Sequence, residues 1–248
     1  MKFLKAEWRK LVIINYEINP EILMKYLPTG TELDFYREKC SMSLVGFMFL
    51  NTKLLRLPIP FHRNFEEVNL RFYVKKKEGN DWKRGVVFIK EIVPKYALSI
   101  VANSIYQENY ETRKMKNEMH YSEDNLIIKY SWKEDYWNSI QINAESKSRK
   151  MENESEFEFI TERYWGFTKR GNKTSEYEVC HPKWDWYLVK HHHLEIDFKK
   201  VYGKDFECLI HQKPLSVMLA EGSEIEVRMK KYLIEELSKK NQVKLKLL

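Results

Sequence analysis

The sequence predicts an α+β, predominantly antiparallel β fold with a helix near its start. Three observations lead there. Short strands separated by turn residues recur along most of the chain, as in all-β or α+β sheet proteins. The segment FEEVNLRFYV alternates polar and apolar positions with a period of two. Asn19-Pro20-Glu21 carries the signature of a helix start, with an N-cap, a proline in the first turn and an early acid.

The elements follow in order. LVIINYEI reads as a short strand, and residues 19–26 as a short helix that Pro28 and Gly30 bring to an end. TELDFY and SMSLVGFMFLN, with β-branched and aromatic content, are two strands. A proline-bearing loop with Pro58 and Pro60 leads into FEEVNLRFYV, where Glu67, Asn69 and Arg71 share one face. That polar trio either lines a pocket or faces water. KKKEGNDWKR has turn chemistry and joins this strand to RGVVFIKEIVP as a hairpin. In ALSIVANSIYQENY, Ala97, Ile100, Val101, Ser104, Ile105 and Glu108 keep a helical spacing, which predicts a second helix. Further on, NLIIKYSW, NSIQINAE, EFITERYWGFT, TSEYEVCHPKWDWYLV, HHHLEIDF and SVMLAEGSEIEVR read as strand segments. No linker or repeat divides them, so residues 1–230 are expected to form one domain and 231–248 a helical or loose C-terminal extension.

Composition narrows the class. With 43% hydrophobic and 14% aromatic residues among 248, the chain can bury enough apolar surface to offset its conformational entropy, which excludes disorder. Cys40, Cys180 and Cys208 are widely spaced and form no metal or redox motif, so free thiols in a reducing compartment are expected. The N-terminal segment lacks a cleavable apolar stretch, and no run long enough to span a membrane occurs. A cytoplasmic protein without a membrane span is the expectation. The net charge of +7 is spread among interspersed charges of both signs, which argues for a solvated surface and against a nucleic-acid partner. The lysines at 75–77, 230–231 and 239–240 are local exceptions, read as solvated.

Candidate chemistry is sparse. No G-x-S-x-G, P-loop or G-x-G-x-x-G motif gives hydrolase or nucleotide chemistry a handle, and no cofactor is implied. His191, His192 and His193 are consecutive, but spacing supplies no third ligand, and no metal site is assigned. His181, beside a proline and among aromatics, reads as a hydrogen-bonded structural histidine ahead of a catalytic base. Lys95 follows Pro94 between two apolar segments. Such an amine is either partly desolvated, hence a nucleophile toward a carbonyl, or it snorkels to the surface at a strand-to-helix corner.

Taken together, WRKLVIINYEINPEILMKYLPTGTELD, SLVGFMF, FEEVNLRFYV, GVVFIKEIVPKYA, YWGF, EYEVCHPKW and LAEGSEIEV resemble the YqjF-like family of uncharacterised bacterial proteins, over about residues 6 to 228. That family in turn resembles the acetoacetate decarboxylase-like superfamily. The resemblance implies a β-cone or barrel around a central cavity with a few peripheral helices, and oligomeric assembly in the decarboxylases leaves a homo-oligomer open. It also implies site roles. Pro94-Lys95 stands where the decarboxylase places its Schiff-base lysine, Glu67 where it has a glutamate at a strand start, and Arg9, ahead of Pro28, where it has an arginine. Tyr96 replaces the decarboxylase's second lysine, removing one cation that would depress the amine pKa. Two functions follow. One is a pocket for a small carbonyl or carboxylate ligand, with Lys95, Glu67 and Arg9 catalytic and Asn69, Arg71 and Tyr96 binding, so that the chain is a lyase on a keto acid if it is an enzyme at all. The other is a non-catalytic ligand-sensing or protein-interaction domain, with Tyr164, Trp165, Trp184 and Trp186 as a contact surface or simply core.

Overall fold

The computed structural model describes residues 2–55, 57–58, 61–105, 108–171 and 173–233. Strand β1 (Lys2–Glu17) extends well ahead of LVIINYEI, because Leu4, Ala6 and Trp8 alternate with Lys5, Glu7 and Arg9 and pack inward. Helix α1 (Pro20–Met24) starts as expected: the Asn19 side chain accepts a hydrogen bond from the Glu21 backbone N–H at 3.0 Å. Strand β2 (Glu32–Leu33) takes only two residues of TELDFY, while β3 (Ser41–Leu54) covers all of SMSLVGFMFLN. After β4 (Leu57–Pro58), strands β5 (Phe65–Glu78) and β6 (Asp81–Val93) form the expected hairpin, its turn helped by Gly79 at a φ of +62°. Helix α2 (Tyr96–Ile105) takes up the first part of ALSIVANSIYQENY, while Glu108, which the helical spacing had included, lies outside it. Strands β7 (Tyr110–Thr112), β8 (Met115–Tyr121), β9 (Asn125–Lys133) and β10 (Trp137–Arg149) follow.

Three readings need correction. EFIT is not strand but helix α3 (Glu156–Thr161), because Ser155 caps it, accepting from the Glu158 N–H, and the acids Glu156 and Glu158 occupy its first turn. Strands β11 (Trp165–Arg170), β12 (Lys173–Cys180) and β13 (Trp186–Glu195) come next. The end of HHHLEIDF leaves the sheet, since Asp197 caps helix α4 (Phe198–Tyr202), which runs into a 3-10 turn at Lys204–His211. After β14 (Ser216–Arg228), the supposed extension begins as strand β15 (Lys231–Tyr232), paired with β12. Pro60, Lys239, Lys240 and the rest of the tail from 234 lie outside the described residues.

The strands run in the order β12-β11-β6-β5-β3-β1-β14, and β12 also pairs with β14, Val179 opposite Val227. Seven strands therefore close into a ring, antiparallel except where β11 meets β6. Closure removes the exposed edges that an open sheet of this length would present. Strands β13, β10, β9 and β8 continue from β14 as an arm. The arm packs on the outside of the ring, where Val12, Leu44 and Leu70 meet Ile128, Tyr130 and Trp132 in one apolar core. A second core, with Ile13, Val45, Phe47 and Tyr73, fills the inside.

Tyr130 ties the arm to the ring. A side chain at Gly46 on β3 would fall on the Tyr130 ring at 2.9 Å, and the Tyr130 hydroxyl donates to the Lys10 carbonyl at 2.9 Å, at a bulge in β1 where Lys10 has a φ of +54°. The three cysteines are free, and among the described residues no helix is long and apolar enough to cross a membrane. Gly46→Val should cost about 1–3 kcal/mol in urea unfolding through overpacking against Tyr130. Gly79→Asn, at a turn with nothing within 4 Å of the added carbon, should change stability by about 0.5 kcal/mol or less.

Candidate functional site

The inside of the ring is not completely filled. A cavity of about 240 Å³ remains, walled by aromatic and aliphatic side chains such as Trp8, Phe47, Phe65 and Val179. Helix α2 closes part of it with Ala97 and Ala102. Into this apolar space project Glu67, Asn69 and Arg71 from β5, Glu91 from β6, Glu108 from the segment after α2, Tyr110 from β7, Arg163 from the turn before β11, and Tyr177 from β12.

Strand geometry decides which side chains enter. On β5 the alternation is unbroken: Val68, Leu70, Phe72 and Val74 join the outer core, and the residues between them point inward. On β6 a bulge interrupts the pairing, for Arg71 lies opposite Phe88 while Leu70 lies opposite Lys90. Val86 and Phe88 point inward before the bulge, and Glu91 and Val93 after it. Without the extra residue, Lys90 would enter the cavity; instead it pairs with Glu111 at 2.8 Å. Tyr110 is held by Asn103 of α2, whose side-chain amide accepts from the Tyr110 N–H at 2.8 Å and donates to its carbonyl at 2.9 Å. Gly166 lines the wall where a side chain would collide with the Tyr177 ring, so glycine makes room for that tyrosine.

Three carboxyl groups, each at most 3% exposed, thus share one apolar cavity. Burial disfavours their charged forms and pushes Glu67 and Glu108 up from 4.5 to about 7. Glu91 is raised well above the ordinary carboxylate range, first by burial and then by the neighbouring Glu108 and Glu67. Hydrogen bonds oppose the shift: Asn69 donates to Glu67 Oε1 at 2.9 Å, the Tyr110 hydroxyl to Glu67 Oε2 at 3.1 Å, and Thr168 to Glu108 at 2.8 Å. Tyr110 also reaches Glu91, and Tyr177 reaches Glu108. Glu67 and Glu91 are therefore linked through the Tyr110 hydroxyl, which can relay a proton between them. Several buried polar atoms of residues lining this space have no hydrogen-bond partner among the described residues: Glu91 Oε2, Asn69 Oδ1, Arg71 Nε, and Nε and Nη2 of Arg163. Buried polar atoms left so cost free energy unless a ligand or water meets them.

Of the residues that the sequence singles out, Glu67, Asn69 and Arg71 come together on the cavity wall. Lys95 is half-buried at the corner between β6 and α2, Tyr96 is 72% exposed, and neither lines the cavity. Arg9 follows the cavity-lining Trp8 and points the other way, pairing with Glu7 at 2.7 Å. His181 stacks on Trp184 at 4.3 Å and contacts Tyr164, and burial lowers its pKa to about 4, as befits a structural ring. The run His191–His193 is exposed on β13, and among the described residues no group of His, Cys, Asp and Glu is arranged to hold a metal ion. Trp184 is buried, while Tyr164, Trp165 and Trp186 are half-buried. Sequence reasoning passed over Glu108 as a chemical group, and also Tyr110, Arg163 and Tyr177. Glutamates inside apolar or aromatic runs were the available signal for the first; for Arg163, in a turn, there was none.

The fold is that of acetoacetate decarboxylase-like proteins. Acetoacetate decarboxylase from Legionella pneumophila superposes with a TM-score of 0.65 at 15% identity, over 95% of this chain and 88% of its own. An acetoacetate decarboxylase-like enzyme from Sphingomonas wittichii RW1 gives 0.64 at 10% identity, over 94% of each chain. The enduracididine biosynthesis enzyme MppR complexed with pyruvate gives 0.65 at 9% identity, over 95% and 92%. In sequence, the uncharacterized protein YqjF of Bacillus subtilis is 25% identical over 213 residues, 86% of this chain and 85% of its own. The model of DUF2071, described as an uncharacterized conserved protein, matches residues 5–224, and the chain belongs to that family.

Proposed function

We propose that the cavity binds a small organic compound carrying a carbonyl or carboxylate group, and that the Glu67–Tyr110–Glu91 relay moves a proton on it. The observation that carries this reading is that Glu91, Asn69 and Arg71, whose Oε2, Oδ1 and Nε have no hydrogen-bond partner among the described residues, line one mainly apolar cavity beside protonatable carboxyls. A carboxyl with a pKa of about 7 is matched to general acid–base work near neutrality, since both of its forms are populated there. Tyr110, donating to Glu67 and within reach of Glu91, connects a proton donor to an acceptor. The complex of MppR with pyruvate, in the same fold, supports a keto acid as the first probe.

The lysine chemistry of the resemblance deepens this reading. In it, the Lys95 amine condenses with a ketone, releasing water. The protonated imine nitrogen then takes up the electron pair left when a neighbouring carbon loses a proton or carbon dioxide. Glu67 or Glu91 would return a proton to that carbon, and hydrolysis would free the amine. Lys95 immediately precedes α2, whose Ala97 lines the cavity, which supports its access to a bound ketone.

Three measurements test these statements. Borohydride reduction in the presence of pyruvate, read by intact mass and peptide mapping, should add one pyruvate-derived group to Lys95 and none to Lys95→Ala. An unlabelled wild type, under conditions that label a control decarboxylase, would remove the imine and leave the relay standing. In deuterium oxide, the chain should exchange the methyl protons of pyruvate, and Glu67→Gln should slow this by about a hundredfold or more; equal rates would sink the relay. Stability should also follow the carboxyls. Between pH 4.5 and 7 the folded chain keeps protons on Glu67 and Glu108 that the unfolded chain has released, so their contribution is full below that window and falls as pH rises through it. Thermal unfolding at pH 5 and pH 8 should show a larger loss for wild type than for the Glu67→Gln, Glu108→Gln double variant.

A further inference from the structure

We propose that Arg71 and Arg163 form an anion site at one end of the cavity, so that the ligand is an organic acid whose carboxylate they hold and keep. The inference rests on the cavity being a ligand site, as argued above. Both guanidiniums are buried, at 8% and 6% exposure, and both line the cavity. Among the described residues Arg71 forms no ion pair, and its Nε has no hydrogen-bond partner. Its neighbour Glu67 bonds to Asn69 and Tyr110 instead, and burial favours the neutral form of that carboxyl.

Arg163 is oriented by its surroundings. Its Nη1 donates to Asp34 at 2.6 Å, and its guanidinium lies 3.9 Å from the Phe159 ring centre and 5.1 Å from that of Tyr73. These contacts fix the plane and leave the Nε–Nη2 edge without a partner among the described residues. That edge carries two parallel N–H groups, the fork that matches the two oxygens of a carboxylate. Asp34 does not neutralise the region, because Arg84 also approaches it, at 3.3 Å. The two cavity arginines are near one another, since Tyr73, under Arg163, is the next inward residue after Arg71 on β5, about 7 Å along the strand.

Two buried guanidiniums, with three nitrogen atoms unpartnered among the described residues, thus line a mainly apolar cavity whose wall also carries Glu67, Glu91 and Glu108. An acid with a short hydrocarbon body and a second polar group fits this arrangement: its anion rests on the arginines and its carbonyl lies by the glutamates. A carboxylate gripped by charge-assisted hydrogen bonds is stabilised in the ground state, which opposes its departure as carbon dioxide. The geometry therefore assigns this carboxylate to recognition, with the reaction at the carbon beside the carbonyl.

The test is calorimetric titration of the full chain with 2-oxohexanoate and with its methyl ester, which keeps the shape and loses the charge. Wild type should bind the acid about tenfold more tightly than the ester or better. Arg71→Gln should abolish that preference while leaving ester affinity within about twofold. Arg163→Lys, which retains a cation for Asp34 and loses the fork, should reduce the preference in the same way. Equal wild-type affinity for acid and ester, or variants that weaken both alike, would overturn the anion site and leave the small-molecule cavity intact. Failure of both compounds to bind wild type would overturn both readings. Release of carbon dioxide from 3-oxohexanoate, faster than its spontaneous loss, would show that the carboxylate is not kept, since in a β-keto acid the imine can accept the electron pair that remains.

Discussion

The site depends on one pairing, that of β12 with both β11 and β14. Without it the seven strands would form an open sheet, and the face carrying Glu67, Asn69 and Arg71 would meet water. With it, that face is turned inward, and the dielectric around its charged groups falls. The raised carboxyl pKa values, the orphaned guanidinium edges and the shape of the cavity all follow from closure. Tyr177 and Val179 of β12 are themselves part of the wall that closure completes.

Burying so many polar groups works against stability, and the molecule offsets it in two ways. The outer core, packed under the arm of β8, β9, β10 and β13, stabilises the ring from the side away from the cavity, through fully buried residues such as Tyr130, Trp132 and Phe72. On the inside, the polar groups are grouped so that some satisfy others. Ser43 links Asn15 to Tyr73 there, and on the outer face Glu176 accepts from both Lys76 and Lys83 at 2.8 Å. Among the described residues, seven of the fifteen buried side-chain atoms left without a partner belong to residues that line the cavity, among them the carboxyl of Glu91 and both arginines. Unmet charged groups around one unfilled space are what a binding site presents.

Much of the frame was legible in the sequence because it depends on local chemistry. Asn19 and Pro20 start a helix wherever they occur, Gly79 serves its turn, and the period of two in FEEVNLRFYV put Glu67, Asn69 and Arg71 on one face. What was not legible depends on long-range pairing. No local pattern showed whether that face was wet or enclosed, since the answer lies with β12, about a hundred residues away. The bulge in β6 was equally hidden, so Glu91 rather than Lys90 as the inward residue could not be read from KEIVPK. EFIT looked like strand by composition, and only the Ser155 cap and its acidic first turn reveal a helix. Arg163, directly behind that misread segment, was lost with it.

The cavity also separates two readings of the resemblance that sequence alone merged. Lys95, Arg9 and Glu67 were drawn together by analogy, yet only Glu67 faces the cavity, and Arg9 is engaged with Glu7 on the other side of β1. In the anion site proposed above, cationic recognition falls to Arg71, which the sequence offered only as a binding residue, and to Arg163, which it did not single out. A fold can keep its hollow while the residues that furnish it are exchanged, because closure and outer packing constrain the backbone far more than they constrain which inward side chains are charged. The carboxyl relay and the arginine pair belong to that exchangeable lining, and they bear on what this chain binds more directly than the architecture it shares with its relatives.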